Sequence, residues 1–237
     1  TNLALVVVDT LVLRLAFPVL AVGAAYAMQQ RGLGLFNAWD GPYVIELVLA
    51  VLALDAAIYF QHRIFHAVPW LWRLHRVHHS DVRFDVTTGV RFHPFEIALS
   101  MAIKLALIAL LGASPGAVML FEVLLSCGSL FTHADVALPP RIERVVRALV
   151  VTPTMHRVHH SIERDETDSN FSFNLSVWDR LFGSYRAAPR ADPASMPIGI
   201  HSFREPADQG LLALLVQPFR TDSNRAAAAR PGEKGDA

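Results

Sequence analysis

Histidine is the residue type in this chain whose number and spacing indicate a chemically active site. The chain has eleven histidines, and ten of them lie between His62 and His160. Eight fall into three clusters: H-x₃-H at His62–His66, and the hexapeptide HRVHHS twice, at His75–Ser80 and His156–Ser161. Residues three and four apart share one face of a helix. Each cluster can therefore bring two or three imidazoles to one point in space.

Neutral imidazole is a ligand for Zn, Cu, Fe and Ni, and one such ion takes about four ligands. The eight clustered histidines exceed the needs of one ion and fit two. Chance placement on surface helices would explain one cluster, but it does not explain three with a repeated hexapeptide. The predicted ligands are His62, His66, His75, His78, His79, His156, His159 and His160.

Two stretches carry a polar stripe at the spacing i, i+4, i+7, i+11, which marks one helix face. They read Asp55, Tyr59, His62, His66 and Glu122, Ser126, Ser129, His133. We therefore predict His133 as a ninth ligand. Ligand histidines usually donate their second N–H to a carboxylate or carbonyl. Asp55 and Glu122 are thus predicted either to support the ligands by hydrogen bonds or to pair with other groups inside the bundle.

His93 stands apart from the clusters, in the sequence Arg91-Phe-His-Pro-Phe-Glu96. Pro94 directly after it predicts the start of a helix. His93 is therefore either a tenth metal ligand, a structural cap or a substrate-binding residue, and its position in the sequence leaves these roles open.

The elements that must position these residues are apolar. Hydrophobic residues make up 53% of the 237 residues, and the mean hydropathy is +0.35. Four apolar stretches lie at about 3–28, 43–60, 95–111 and 117–131, and Gly112–Pro115 predicts a tight turn between the last two. The predicted fold is all-α, a polytopic membrane bundle capped by a histidine-rich helical region. We expect one domain over residues 1–220 and a disordered tail over 221–237.

Smaller features complete this prediction. Residues 141–150 and 206–219 are expected to form amphipathic helices on the membrane surface. Lys104 lies within an apolar stretch, and we expect its long side chain to reach towards the interface. The single Cys127 excludes an intramolecular disulfide and a cysteine-rich zinc site.

Charge indicates location and excludes some partners. The formal net charge is zero, which gives no indication of a nucleic-acid partner. Arginines concentrate between Gln61 and His93 and again after His133, whereas the link between the first two stretches holds only Arg31. By the positive-inside rule, both histidine-bearing regions face the cytoplasm. Two lysines beside nineteen arginines, with abundant alanine, suggest a GC-rich bacterial genome and hence the inner membrane.

The three histidine clusters, set between apolar hairpins, resemble the fatty acid hydroxylase / sterol desaturase superfamily of integral membrane di-iron enzymes. The resemblance covers about Asp55 to Phe219 and includes three further segments: Arg91–Glu96, Leu130–Pro139 and Trp178–Tyr185. It implies two iron ions held by the histidines, O₂ as the oxidant and a separate electron-transfer protein. It also implies a lipid substrate, such as a fatty acyl chain or a sterol, taken from among the membrane lipids.

Several alternatives remain open at this point. The oxidised lipid carbon would become either an alcohol or part of a double bond, and we expect the alcohol. A membrane metal transporter or metal store would also be rich in histidine, but transporters place their ligands along the middle of spanning helices. A third alternative is a structural zinc protein without catalysis, but such a site typically uses only about four ligands per ion. Zinc is nevertheless expected in purified protein, because it binds imidazole more tightly than Fe²⁺ does.

Overall fold

The computed structural model describes residues 1–17, 19–193 and 195–221. Over these residues the chain is helical and forms no strand ladder, with two isolated bridges, Val150 to Leu175 and Ser161 to Ile198. The all-α prediction is confirmed. The α-helices are α1 Asn2–Ala16, α2 Ala21–Gln30, α3 Tyr43–Ala67, α4 Pro69–His79, α5 Pro94–Leu111, α6 Pro115–Thr132, α7 Pro140–Leu149, α8 Pro153–His159, α9 Arg164–Thr167, α10 Val177–Leu181 and α11 Leu211–Val216.

Four segments are long and apolar enough to cross a membrane: Asn2–Gln30, Tyr43–Ala67, Pro94–Leu111 and Pro115–Thr132. Two differ in detail from the predicted stretches. The first is divided into α1 and α2, and Pro18 lies in the sequence between them; proline interrupts helices. The second continues past Phe60 to Ala67, because the next proline, Pro69, comes only after the H-x₃-H cluster.

The membrane helices pack closely through small side chains. Helix α3 lies against α6, α2 lies against α5 and α6, and α1 lies against α5. Their shared core contains Ala21, Ala25, Ala50, Ala113, Ala117, Leu54, Ile108, Val118 and Phe121. Without a hydrophobic driving force between helices in lipid, close backbone approach of this kind supplies the van der Waals contact that holds them together.

The predicted hairpin between α5 and α6 forms at a glycine that the geometry requires. Gly112 ends α5 with φ 63°, in the left-handed region. The loop after α2 packs on this turn so tightly that a Cβ on Gly34 would lie 2.3 Å from the Gly112 nitrogen. Asn37 donates through Nδ2 to the Gly112 carbonyl at 3.2 Å. The loop after α2 thus covers the end of the bundle at which α5 turns into α6.

The opposite end of the bundle carries the short helices with the histidines. Both HRVHHS repeats end a helix, α4 in one case and α8 in the other. The expected surface helix at residues 141–150 corresponds to α7, which has no buried residue. The segment 206–219 differs from expectation, since Leu214 of α11 is buried against Leu5 and Val77 rather than facing lipid. Of the predicted tail, residues 222–237 lie outside the described residues.

Candidate metal centre

Nine buried histidines converge in two groups at this end of the bundle. Within each group the ring nitrogens that face each other lie within 4.8 Å of one another. One group is His62, His66, His75, His79 and His159; the other is His78, His133, His156 and His160. Each HRVHHS repeat contributes to both groups. The helical spacing explains this, because the histidines of one repeat point to slightly different directions around a single turn.

The distances between nitrogens are those of ligands that share an ion. His66 Nε2 and His79 Nε2 are 3.1 Å apart. In the other group, His133 Nε2 lies 3.1 Å from His156 Nε2, 3.2 Å from His160 Nε2 and 3.3 Å from His78 Nε2. Nitrogens bound at about 2.0–2.1 Å to one ion are separated by about 3.0–3.4 Å, depending on the coordination geometry. The two groups therefore fit one ion each.

The outward nitrogens of five ligands are held by acceptors. Through Nδ1, His62 donates to the Phe171 carbonyl, His159 to the Ser169 carbonyl and His133 to the Ser129 carbonyl, each at 2.7 Å. His75 Nδ1 lies 2.6 Å from Glu96 Oε1, and His66 Nδ1 lies 3.1 Å from Asp168 Oδ1. A neutral imidazole that donates through Nδ1 presents a lone pair at Nε2. These bonds thus aim lone pairs into the two groups.

Three of those inward lone pairs find no partner among the described residues. Among the described residues, Nε2 of His62, His75 and His159 is buried without a hydrogen-bond partner. Buried polar atoms in folded proteins are almost always paired, so such a concentration of unpaired acceptors indicates a ligand. Two cations would satisfy them, which is why the residues present fit a dinuclear metal centre.

Burial also keeps the ligands in the form that binds metal. It lowers the pKa of His75 to about 3 and that of His133 to about 4. For the remaining ligands on α4 and α8, burial and then the neighbouring histidines hold the pKa well below its ordinary value. Taking a charged imidazolium out of water is unfavourable, so these rings are neutral near pH 7.

Two predicted supporting carboxylates have other partners. Asp55 accepts from Asn174 Nδ2 at 2.9 Å and from Trp178 Nε1 at 2.8 Å. Glu122 accepts from Lys104 Nζ at 2.7 Å, so Lys104 turns into the bundle and does not reach for the interface as expected. Both carboxylates pair inside the bundle, and neither bonds to a ligand, because their positions lie two or more turns from the histidine at the end of the stripe.

The carboxylates that do contact ligands are Glu96 and Asp168, which sequence reasoning missed. Glu96 lies in the first turn of α5, beside the motif that drew attention to His93. Its role depends on the packing of α5 against α4, which spacing along the chain does not reveal. Asp168 follows the four-residue helix α9 and has no periodic pattern around it. No signal in the sequence would have found it.

His93 lies outside both groups, and both of its ring nitrogens are engaged. Nδ1 accepts the Phe95 N–H at 3.2 Å and caps α5, while Nε2 donates to the Leu215 carbonyl at 3.1 Å. Neither nitrogen has a lone pair left for a metal. Of the three roles that the sequence leaves open for His93, these contacts favour the structural cap, because His93 starts α5 and bonds to Leu215 of α11.

A cavity of about 380 Å³ begins at the first histidine group and extends into the bundle. His62 and His75 form part of its wall at one end, and Lys104 and Glu122 line it as well. Between them the wall is largely apolar and aromatic, and includes Phe65, Phe92, Met101, Leu125 and Phe173. A hydrocarbon between membrane helices would fit such a space and meet the metal-binding end.

Comparison with known proteins agrees with this arrangement. The model of the fatty acid hydroxylase family matches residues 47–184, which is more than half of the chain and includes every histidine of both groups. The chain belongs to the fatty acid hydroxylase family. As a family member it resembles three kinds of curated enzyme, and no solved structure matches it.

The ornithine lipid hydroxylase OlsE of Rhizobium tropici is 32% identical over 75% of this chain and 51% of that protein. The human alkylglycerol monooxygenase is 32% identical over 65% of this chain and 33% of that protein. The rat cholesterol 25-hydroxylase is 24% identical over 62% of this chain and 48% of that protein. The chain thus spans about half, or less, of the length of these relatives.

Proposed function

We propose that this member of the fatty acid hydroxylase family is a membrane-bound, non-haem di-iron oxygenase that hydroxylates a C–H bond of a lipid. The observation that carries the proposal is the pair of buried histidine groups at the end of an apolar cavity. The relatives described above, which are named as lipid hydroxylases or monooxygenases, support the same class of reaction.

The composition of the groups favours oxidation over hydrolysis. A hydrolytic zinc site uses three protein ligands, a water and a carboxylate base. Both groups here consist of histidine alone. When bound, two iron ions would supply the activation of O₂ and the oxidation of an unreactive C–H bond, work that belongs to a cofactor rather than to side chains. One oxygen atom enters the C–H bond and the other becomes water, at the expense of two electrons and two protons; a separate electron-transfer protein supplies the electrons.

The protein's own share is positioning and exclusion of water. The Glu96 and Asp168 carboxylates and the three backbone carbonyls fix the orientation of five ligand rings. Phe92 stacks on His78 with ring centroids 4.7 Å apart and also lines the cavity. Its ring therefore separates the second group from the cavity contents, and the first group, through His62 and His75, faces the substrate.

We further propose that the enzyme works in the bacterial inner membrane with the metal centre on the cytoplasmic side. The arginine distribution supports this orientation. An electron donor in the cytoplasm would then dock on the end of the bundle that carries the histidine groups, while the lipid substrate enters from the surrounding membrane lipids.

The test compares wild type with His78→Ala and with His201→Ala, whose histidine is exposed and outside both groups. Purified wild type and His201→Ala should each bind two metal ions per chain, and cells expressing either should accumulate a hydroxylated lipid. His78→Ala should lose metal and product. Identical lipid profiles in all three strains would contradict the proposal, and a metal-loaded protein without any lipid product would favour metal storage. A new double bond instead of an alcohol would make the enzyme a desaturase.

A further inference from the structure

An ion pair lies inside the membrane-spanning part of the bundle, where charge is costly. Lys104, in α5, donates to Glu122 of α6 at 2.7 Å, and the lysine side chain is only 11% exposed. Both residues line the cavity that begins at His62 and His75. Ionisable side chains at membrane depth usually serve function. The pair joins α5 to α6, lies outside both histidine groups and forms part of the cavity wall; the Glu122 side chain is 33% exposed and can meet what the cavity contains.

The pair is remote from the metal centre. On α5, eight residues separate Lys104 from Glu96, which corresponds to about 12 Å at the helical rise. On α6, seven residues separate Glu122 from Ser129, whose carbonyl holds His133, which corresponds to about 10 Å. The cavity thus has a metal-facing end and a charged position about 10–12 Å away, with apolar walls between them.

Other polar atoms of the same wall lack partners. Among the described residues, Asp9 Oδ1 and Gln61 Oε1 are buried without a hydrogen-bond partner, and both residues line the cavity. A buried oxygen without a donor costs free energy unless the contents of the cavity supply one. A purely hydrocarbon occupant supplies none. The cavity therefore suits a molecule with polar as well as alkyl portions. Gln61 directly precedes His62, so its oxygen lies towards the metal-facing end, and the polar character of the far end comes from the Lys104–Glu122 pair.

The chemistry of the Lys104–Glu122 pair indicates which hydrogen-bonding group the bound molecule carries. Lys104 can donate to an acceptor and Glu122 can accept from a donor, while their charges cancel. A hydroxyl both donates and accepts and is itself neutral, so it can bond to both members at once. An alkyl group in the same place would exclude water from the pair without offering either residue a hydrogen bond.

We infer that the substrate is a hydroxyl-bearing lipid bound with its hydroxyl on the Lys104–Glu122 pair and oxidised about 10–12 Å away, at the metal-facing end. The inference rests on the proposed function for the oxidation. The recognition of the hydroxyl is a property of the cavity that a binding experiment measures separately.

The experiment uses metal-loaded protein in lipid nanodiscs and two probes of equal length, dodecanol and dodecane. Bound probe is quantified after gel filtration, in excess of the amount in protein-free discs. The variants are the apolar Lys104→Met/Glu122→Leu, the charge-swapped Lys104→Glu/Glu122→Lys, and Val123→Ala on the exposed face of α6. Metal content checks that every variant folds, because none of these residues belongs to the histidine groups.

Wild type and Val123→Ala should retain dodecanol over dodecane by about tenfold, the effect of one or two hydrogen bonds to charged groups. The charge-swapped variant keeps a donor and an acceptor and should keep this preference. In the apolar variant the ratio should fall to about one, with dodecane still bound. Equal retention of both probes by wild type, or an unchanged ratio in the apolar variant, would overturn the inference.

Lipid turnover separates the two proposals. A preference for dodecanol without any lipid oxidation would leave hydroxyl recognition standing and refute the proposed function. Oxidation of alkyl lipids irrespective of a hydroxyl, with equal retention of the probes, would refute the inference and leave the proposed function standing.

Discussion

In five of the nine grouped histidines the outward Nδ1 meets an acceptor, while Nε2 points into the group. In His75 the inward Nε2 has no protein partner, while the outward Nδ1 donates to the buried Glu96 at 2.6 Å. That bond fixes the tautomer and the orientation of the ring, and a carboxylate acceptor raises the basicity of the ligand. The outward Nδ1 of His66 likewise meets Asp168, and three further histidines donate to backbone carbonyls.

Replacing Glu96 tests this arrangement. Glu96→Leu should lower the affinity of the first histidine group for metal by about 10–100-fold, whereas Glu96→Gln, which keeps an acceptor oxygen, should lose less. Chelator competition measures the affinity. The matched control is His93→Ala, because His93 is buried near the same helix start but bonds only to backbone. Metal loss in His93→Ala equal to that in Glu96→Leu would show that disturbing α5 alone explains the effect.

At this scale the sequence located the histidines that group together far better than the residues that hydrogen-bond to them. The spacing within each repeat depends only on helix geometry, so the eight clustered histidines and His133 could be selected without a structure. Glu96 and Asp168 approach the ligands through tertiary packing, and most of the supporting acceptors are backbone carbonyls, which every residue possesses. His93 attracted attention as a histidine, and its position just before Pro94 made a helix cap one of the three roles left open.

At the scale of the elements, Asp55 connects a membrane helix to residues 161–184, which we call the covering segment because it lies against the histidine groups. It lies on α3 and accepts from Asn174, Trp178 and the Leu175 N–H. The same segment supplies Phe171, whose carbonyl orients His62, two turns further along α3. Helix α3 thus holds the covering segment at two points, one structural and one at the ligand.

Asp55→Ala should therefore reduce both stability and metal content. The three donors would be left without an acceptor, and the free energy of unfolding should fall by about 3 kcal/mol. Denaturant titration in detergent micelles measures this, and metal analysis of the folded fraction should show partial loss. Asp40→Ala removes an exposed carboxylate and should change stability by less than about 0.5 kcal/mol. A matching small effect for Asp55→Ala would contradict the connecting role.

The extent of the helices was only partly predictable. Apolar runs located the four spans, and Gly112–Pro115 located the hairpin, because both signals are local. The end of α3 at Ala67 was missed, since polar residues such as Gln61 and Arg63 end the apolar run while the helix continues. The covering segment has short helices and many hydrogen bonds between side chains and backbone. Its sequence therefore has no helical periodicity from which its position could be predicted.

For the molecule as a whole, burial of so many imidazoles makes stability depend on pH. The pKa of His75 is lowered to about 3 and that of His133 to about 4, both below their ordinary value. The folded protein therefore binds fewer protons than the unfolded chain does in this range. The associated stabilisation is complete above about pH 6.5 and is lost progressively as the pH falls towards about 4.

The Tm of the metal-free protein in detergent should accordingly be constant from about pH 8 to pH 7 and fall steadily below about pH 6. Metal-loaded protein should keep its Tm to a lower pH than the metal-free protein does. It should then release its ions, because protons and metal compete for the same nitrogens. A Tm that stays level, or rises, between about pH 7 and pH 4.5 would show that the histidines are not buried as neutral rings.

The sharing of both HRVHHS repeats between the two histidine groups has a consequence for biosynthesis. A nascent chain that has emerged only as far as His133 holds six of the nine histidines, but neither group is complete without His156, His159 and His160. The carbonyls of Ser169 and Phe171, which orient His159 and His62, are made later still. All four membrane-spanning segments therefore precede the histidines that complete either group, so a metal bound by these groups would have to enter a chain whose spans are already made.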